Sequence, residues 1–324
     1  MRRVDIVIPA YNEAASLPAL VHRVFAVMAP LPYRVRVLVV NDGSDDDSAI
    51  VLAALTAEDS RVGVIHLSRN FGHQAALTAG LDAADADAVV MLDADLQKPP
   101  EVIPRFLAAW ENGAEVVHGV RNPSRVESLF KRLTSRAFYR LLNKLSDVPL
   151  VNDAPDFRLL DAKVVRAARN LREQDRLLRG LVAWAGFRQV SIPYDEAPRE
   201  HGQTKYSLMR MAALGLAGVL SFSRLPLRLA TLAGFTVSML AFAYGAYVGV
   251  MHGFYKAPIP GWTSLAILVS ALCGAQMMFL GLIGEYLGQV LMETKARPLY
   301  LIRDMIIPPL QAAGSTGSGH NDAQ

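Results

Sequence analysis

Ala88 to Gln97 reads Ala-Val-Val-Met-Leu-Asp-Ala-Asp-Leu-Gln. A short apolar run rich in Val predicts a buried strand, and two carboxylates one residue apart stand at its C-terminal end. Ligands bind at that end of the strands in open α/β sheets. In extended backbone, residues i and i+2 point to the same side, so Asp93 and Asp95 can converge on one hard cation and on whatever that cation holds. Taken alone, Asp-x-Asp also arises by chance, and loop carboxylates usually face water.

Working outward, the same pattern of strand, polar loop and helix recurs. Val4 to Pro9 is an apolar run ending in Pro-Ala-Tyr-Asn-Glu, followed from Ala14 to Met28 by apolar residues at helical spacing. Arg34 to Val40 ends in Asn41-Asp42-Gly43-Ser44, and Asp45, Asp46 and Asp47 sit where the next helix begins, a position favoured by the helix dipole. Val62 to Leu67 predicts a third strand, then Ser68 to Gly72 a loop, then a helix from about His73 to Ala84. Strands alternating with helices imply right-handed crossovers and a mainly parallel sheet, so Tyr11, Glu13, Asp42, Asn70 and Asp93 should line one crevice. No Gly-x-Gly-x-x-Gly follows the first strand and no Walker Gly-Lys-Ser/Thr occurs, so phosphates here must be held by metal and cationic side chains. Further on, Glu101 to Asn112 reads as a helix and Glu115 to Val120 as a strand delivering Arg121. Ser124 to Leu145 reads as a basic helix containing Lys131 and Ser135, then comes a loop with Asp153 and Asp156, and Arg188 to Pro193 reads as a strand. No internal repeat is present.

Of the 324 residues, 52% are hydrophobic and only 19% charged, which is more apolar than a soluble α/β enzyme should be. The excess lies in Leu229 to Met251 and Trp262 to Gly284, neither of which holds a charged residue. Each is long enough to cross a hydrocarbon core of about 30 Å, so two transmembrane helices are expected. Between them lies a short loop, 252–261, with the single charge Lys256, while arginines and lysines flank the pair on the outside. The positive-inside rule then puts both chain ends in the cytoplasm. Thr204 to Arg228 carries four bases and no acids among Leu, Met and Phe, the composition of a helix lying on an anionic leaflet. Few stacking aromatics stand there and a span follows at once, which argues against nucleic-acid binding. Asp5 and a strand-like run follow Arg2 and Arg3, so no cleavable signal is expected, and the lone Cys273 fits an apolar span in a reducing compartment. From Pro308 the composition predicts a disordered tail.

Pro-Ala-Tyr-Asn-Glu at 9–13, Asn-Asp-Gly-Ser at 41–44, Arg-Asn-Phe-Gly at 69–72 and Asp-Ala-Asp-Leu-Gln at 93–97 resemble family 2 glycosyltransferases of GT-A fold. Arg-x-x-Gly-x-Thr-Lys-Tyr at 199–206, the two spans and Lys-Ala-Arg-Pro-x-Tyr at 295–300 narrow the resemblance to polyprenyl-phosphate glycosyltransferases. That group contains dolichol-phosphate mannose synthase and the bacterial bactoprenol glucosyl transferases, and the latter are the nearer likeness. The resemblance covers roughly residues 4–305 and implies a Rossmann-like GT-A catalytic domain over 1–203, an interfacial segment over 204–228 and a transmembrane hairpin over 229–284. A cytoplasmic segment over 285–307 and a tail over 308–324 would follow, the whole sitting in a bacterial inner membrane.

It also implies a nucleotide-sugar donor, with UDP-glucose the best choice, and undecaprenyl phosphate as acceptor. Pro9, Tyr11, Glu13 and Asp42 match positions holding base and ribose, with Asn70 and Asp93 beside them. Mg²⁺ or Mn²⁺ held by Asp93, Asp95 and Gln97 would neutralise the leaving diphosphate, since oxygen ligands favour hard ions. Arg121, Lys131, Ser135, Arg199 and Lys205 are candidates for the acceptor phosphate, the last two touching donor diphosphate, acceptor or both. Asp156 is the family's candidate base. Because a phosphate monoester has a second pKa of about 6 and is already dianionic at neutral pH, Asp156 is also a candidate for orienting the substrates. A flippase partner and a homo-oligomer packed through Gly234, Gly245 and Gly249 are compatible with the spans. A processive polysaccharide synthase would need more spans and a Gln-x-x-Arg-Trp sequence, both missing here. The remaining alternative, a catalytically silent membrane scaffold, has no use for Asp93, Asp95 and Asp156.

Overall fold

The structure is a computed structural model of the chain, and it describes residues 1–122, 156–174, 176–195, 225–255 and 261–309. Val7, Leu38 and Val40 face one apolar cluster while their neighbours Ile6, Ile8, Val37 and Val39 face another. Strands whose successive side chains are all apolar must be covered on both faces, which is what a central parallel sheet requires. The first two strands, β1 (Arg2–Ala10) and β2 (Tyr33–Asn41), pair in parallel over their full length. β3 (Val62–Leu67) extends the sheet beyond β2, and β4 (Ala88–Met91) pairs with β1 on its other side, both in parallel. Helices α1 (Leu17–Met28), α2 (Ser48–Glu58) and α3 (His73–Ala83) make the crossovers. α3 lies so close to β1 that a Cβ on Gly80 would meet Val7 Cγ1 at 2.2 Å.

After β4 come a 3-10 turn (Pro100–Val102), α4 (Ile103–Glu111) and β5 (Val116–Arg121). β6 (Arg158–Asp161) is inserted between β4 and β5 and runs antiparallel to both. α5 (Ala162–Asn170), α6 (Leu178–Trp184) and β7 (Gln189–Tyr194) follow, with β7 parallel to β5. The sheet has eight strands in the order β7-β5-β6-β4-β1-β2-β3-β8, and four of its seven pairings are parallel.

The eighth strand departs from the sequence reading, which set residues 285–307 apart from the catalytic domain. β8 (Ile302–Ile306) pairs antiparallel with β3, so the end of this stretch belongs to the catalytic sheet. Two polar contacts hold it there. Arg36, buried on β2, forms a two-pronged ion pair with the fully buried Asp5 (Nε–Oδ1 3.0 Å, Nη2–Oδ2 2.8 Å) and donates from Nη1 to the Pro308 carbonyl. Tyr300 donates its hydroxyl to Asp82 at 2.7 Å, which also pairs with Arg172.

The described residues divide into two compact units. The first holds the sheet and the helices α1 to α6. The second holds two long helices, α7 (Leu225–Tyr255) and α8 (Trp262–Thr294), which contain the two uncharged runs. Among the described residues, the stretch Ala230–Tyr247 is long and apolar enough to cross a membrane, with a mean hydropathy of 1.3. Most of the basic segment 204–228 lies outside the described residues, as do the helix expected over Ser124 to Leu145 and the loop residue Asp153.

Candidate active site

Hydrogen bonds tie the loop after β1 to the loop after β2, and the loop after β2 to the loop after β3. Between the loops after β1 and β2, Asn12 N–H donates to Ser44 Oγ, Asp45 N–H to Asn12 Oδ1 and Glu13 N–H to Ser48 Oγ, all at 2.9–3.1 Å. Tyr11 reaches Asp45 with its hydroxyl at 3.4 Å, and Pro9 is buried near the end of β1. Asp46 accepts from Ala14 N–H and Ser48 N–H, so this acid secures both the loop and the start of α2.

Asp42 carries the lacing on to the loop after β3. Its two carboxylate oxygens accept from Phe71 N–H at 2.7 Å and Gly72 N–H at 2.9 Å. Burial holds its pKa above the ordinary aspartate value, against the pull of those two N–H groups and of the nearby His73 and Arg69. The close approach depends on Gly43, where φ is +65° and a Cβ would stand 2.4 Å from the Arg69 carbonyl carbon. Asn70 is exposed on the same loop.

At the fourth strand end the local geometry differs from the extended pair expected. β4 stops at Met91, and the backbone turns through Ala94 and Asp95 to a left-handed Leu96 at φ +59°. Asp93 and Asp95 are therefore placed by a turn and not by strand alternation. Asp95 Oδ1 accepts from Gln97 N–H at 3.2 Å, while Asp93 Oδ2 receives the ammonium of Lys98, a residue only 4% exposed. Asp93 Oδ1 is buried without a hydrogen-bond partner, with His73 Nε2 3.7 Å away.

Asp156, just before β6, closes the site. Its Oδ2 accepts from Gln74 Nε2 at 2.7 Å and stands 3.5 Å from His73 Nε2, and its Oδ1 accepts from Arg158 Nη2 at 3.1 Å. Burial alone would raise its pKa, but the His73 hydrogen bond, the Arg158 and His73 charges and the Gln74 bond hold it well below the usual carboxylate range. For His73 burial works downward, and the Asp156 bond with the Asp93 and Asp156 charges outweighs it, so the pKa lies above the ordinary histidine value. Phe157 fixes this corner, packed 4.7 Å from Phe106 and edge-on to Tyr194 at 5.4 Å.

Tyr11 and Glu13 thus tie the loop after β1 to the one after β2, Asp42 ties down the loop after β3, and Asp93 and Asp156 approach each other across His73. Arg121 is the last residue of β5, paired in register with Tyr194. Lys131, Ser135, Arg199 and Lys205 lie outside the described residues. Four side chains that the sequence reading passed over complete the site: His73, Gln74, Lys98 and Arg158. The first two open the helix that follows the Ser68–Gly72 loop and Lys98 follows the paired aspartates, so each stood beside a recognised signal, whereas Arg158 is fully buried and lies in β6, which is paired with β4.

The family described as Glycosyl transferase family 2 matches residues 5–168. The chain belongs to that family. This family 2 glycosyltransferase is 41% identical over 299 residues to an uncharacterized glycosyltransferase, YkcC, of Bacillus subtilis, covering 92% of this chain and 93% of the relative. It is 35% identical over 301 residues to the bactoprenol glucosyl transferase of Shigella phage SfX, covering 93% and 99% respectively. Among solved structures, mannosyl-3-phosphoglycerate synthase from Rubrobacter xylanophilus superimposes with a TM-score of 0.47 at 17% identity, over 68% of this chain and 73% of that one. As a member of the family the protein is a glycosyltransferase of GT-A fold.

Proposed function

We propose that this glycosyltransferase moves a sugar, with inversion, from a nucleotide-sugar donor to undecaprenyl phosphate at the cytoplasmic face of a bacterial inner membrane. The observation that carries the reading is the approach of Asp93 and Asp156 to His73 beside the parallel strand ends, in a chain similar over nearly its whole length to bactoprenol glucosyl transferases. Those relatives' names support glucose as the sugar, and UDP-glucose is the donor proposed. Pro9, Tyr11, Glu13, Asp42 and Asn70 hold base and ribose, and Asp93 faces the diphosphate. Arg121, Lys131, Ser135, Arg199 and Lys205 receive the acceptor phosphate.

In the reaction an oxygen of the lipid phosphate attacks the anomeric carbon. The bond from that carbon to the diphosphate oxygen breaks, its electron pair leaves with the nucleoside diphosphate, and a polyprenyl-phosphate sugar remains. No proton need be removed from a dianionic phosphate. The depressed pKa of Asp156 makes it a poor base, so we assign it the task of holding His73 and Arg158 in place beside the reacting groups. Lys98 and His73 put positive charge next to Asp93, where the leaving group gathers negative charge.

Among the described residues no group of three or more His, Cys, Asp or Glu side chains could hold a metal alone. The unpartnered Asp93 Oδ1 nonetheless fits a cation shared with the donor, because Mg²⁺ is often bound through one or two carboxylates plus substrate phosphates. Asp93, Asp95 and Gln97 would hold it, and Mg²⁺ or Mn²⁺ bound there would supply Lewis-acid charge to the diphosphate.

Two spans over 229–284 with both ends cytoplasmic, an interfacial segment over 204–228 and a periplasmic loop over 252–261 complete the proposal. It is supported by the apolar side chains, such as Leu232, Phe235, Leu240 and Phe242, exposed around α7. Membranes containing the protein, given labelled UDP-glucose, undecaprenyl phosphate and Mg²⁺ or Mn²⁺, should form labelled lipid. Absence of product with every nucleotide sugar tried, in a folded preparation, refutes the reading. Asp95→Asn should abolish transfer, and an Asp95→Asn strain with unchanged cellular function would favour a scaffold.

A further inference from the structure

β8 reaches the root of the loop that follows β3. Ser68, the first residue of that loop, has both of its backbone groups engaged by the C-terminal stretch. Its N–H donates to the Leu301 carbonyl at 2.8 Å, and its carbonyl accepts from Arg303 Nη2 at 3.0 Å. The ladder between the two strands is irregular at this point. His66 pairs with Asp304 and Leu67 with Ile302, so Arg303 is an extra residue that stands opposite none of β3. A bulge of this kind re-aims a side chain, and here the side chain it turns is the one that grips the loop.

The rest of the loop is held from the other side. Residues 69 and 70 lie against Gly43, where a Cβ would stand 2.4 Å from the Arg69 carbonyl carbon and 2.6 Å from Asn70 N. Phe71 and Gly72 give their N–H groups to Asp42, and His73 and Gln74 follow at once, both reaching Asp156. Arg303 therefore secures the sheet end of a loop whose other end is fixed by Asp42. The C-terminal stretch is itself anchored on both sides of Arg303. Tyr300 donates to Asp82 at 2.7 Å, and the Pro308 carbonyl accepts from Arg36 at 2.9 Å. Arg303 is exposed, so its side chain can be changed without releasing either anchor.

We propose, on the reading of Asp42 and Asn70 as donor-binding residues, that Arg303 is a positioning residue for the nucleotide. It never touches the ligand. From its bulge it fixes the root of the loop 68–72, and through that loop it sets where Asn70 stands and whether Phe71 and Gly72 meet the Asp42 carboxylate. Misplacing a substrate-holding loop by an ångström is costly even when the altered residue is remote from the chemistry. The guanidinium, with its donors fixed in one plane, holds the Ser68 carbonyl more closely than a flexible ammonium would.

Two measurements on the full chain in detergent test this: calorimetric titration with UDP in the presence of Mn²⁺, and hydrogen exchange of the peptide 69–74 without ligand, which reports local opening of the loop. Arg303→Met should weaken UDP binding about tenfold, the size that loss of one charge-assisted hydrogen bond allows. It should also speed exchange at Phe71 and Gly72, at an unchanged melting temperature. Arg303→Lys should recover part of both effects. Ile306→Ala, on the same strand but paired with Val64 away from the loop, should match the unaltered protein in both measurements. Unchanged exchange at 69–74 in Arg303→Met overturns the proposal, as does unchanged UDP affinity in that variant. An equal effect of Ile306→Ala overturns it too, since the cause would then be general loosening of β8. If the unaltered protein binds no UDP, the donor reading of the site fails, and with it the role of Arg303 in nucleotide binding, whereas UDP binding that only Arg303→Met weakens upholds both.

Discussion

Replacing Lys98 by Met should make the site bind Mn²⁺ more tightly, although it removes a residue from the loop that would hold the ion. The Lys98 side chain is 5% exposed and its ammonium rests on Asp93 Oδ2, whose side chain is 25% exposed. A divalent cation on the free Oδ1 of Asp93 meets the ammonium charge beside it and must part this pair to claim Oδ2 as well, and a hydrogen bond between charged groups contributes about 1.5–3 kcal/mol. Methionine keeps most of the length and apolar stem but has no charge, so that cost disappears. At about 1.4 kcal/mol per tenfold change, Mn²⁺ should bind roughly 10- to 100-fold more tightly. Titration of the purified protein with Mn²⁺, followed by the paramagnetic signal of the free ion in the absence of nucleotide, measures this directly. The same variant should bind UDP more weakly without metal, because the ammonium no longer offsets the diphosphate charge. Unchanged or weaker Mn²⁺ binding in Lys98→Met, at an unchanged melting temperature, would refute the reasoning.

Arg36→Met should destabilise the catalytic unit by about 3–5 kcal/mol, because it strands the fully buried Asp5 carboxylate. The double variant Asp5→Leu/Arg36→Met should recover most of that loss in denaturant unfolding. Gly43→Ala should cost about 1–3 kcal/mol of donor binding, read as a raised KM for the nucleotide sugar, since the methyl group meets backbone at 2.4 Å and pushes the Arg69 loop off Asp42. His118 is buried beside Arg158, and burial, then that charge, bring its pKa down to about 4, against a hydrogen bond to Gln189. The unfolded chain takes up this proton near pH 6.5 and the folded one does not. Its contribution is therefore complete above pH 6.5 and declines by about 3 kcal/mol as pH falls towards 4. His118→Gln should flatten that part of the stability profile.

Much of the fold was legible because the central strands announce themselves. β1 to β4 are apolar on both faces and end in polar loops, and a parallel sheet brings such loops to one edge whatever their spacing in the chain. That reasoning is what led to the expectation that Tyr11, Glu13, Asp42 and Asp93 share one edge. It failed where an element has no pattern of its own. β8 is a short exposed strand of mixed character, Ile-Arg-Asp-Met-Ile, and only pairing with β3 and the tie from Arg36 to Pro308 make it part of the sheet. β6 is a four-residue strand whose antiparallel insertion between β4 and β5 sets Arg158 against Met91 and His118.

Residue order by itself therefore determined the α/β architecture, the shared edge and the carboxylates that mark it, since hydrophobic period and loop chemistry are local properties. Partnership between charges was decided by the tertiary structure. Whether Asp156 is a base or a fixed anion depends on His73, Gln74 and Arg158 arriving from α3 and β6, and whether Asp93 stands open depends on a turn that folds Lys98 back onto it. Electrostatic strength in a site varies with distance and burial, and both are set by packing between segments far apart in sequence.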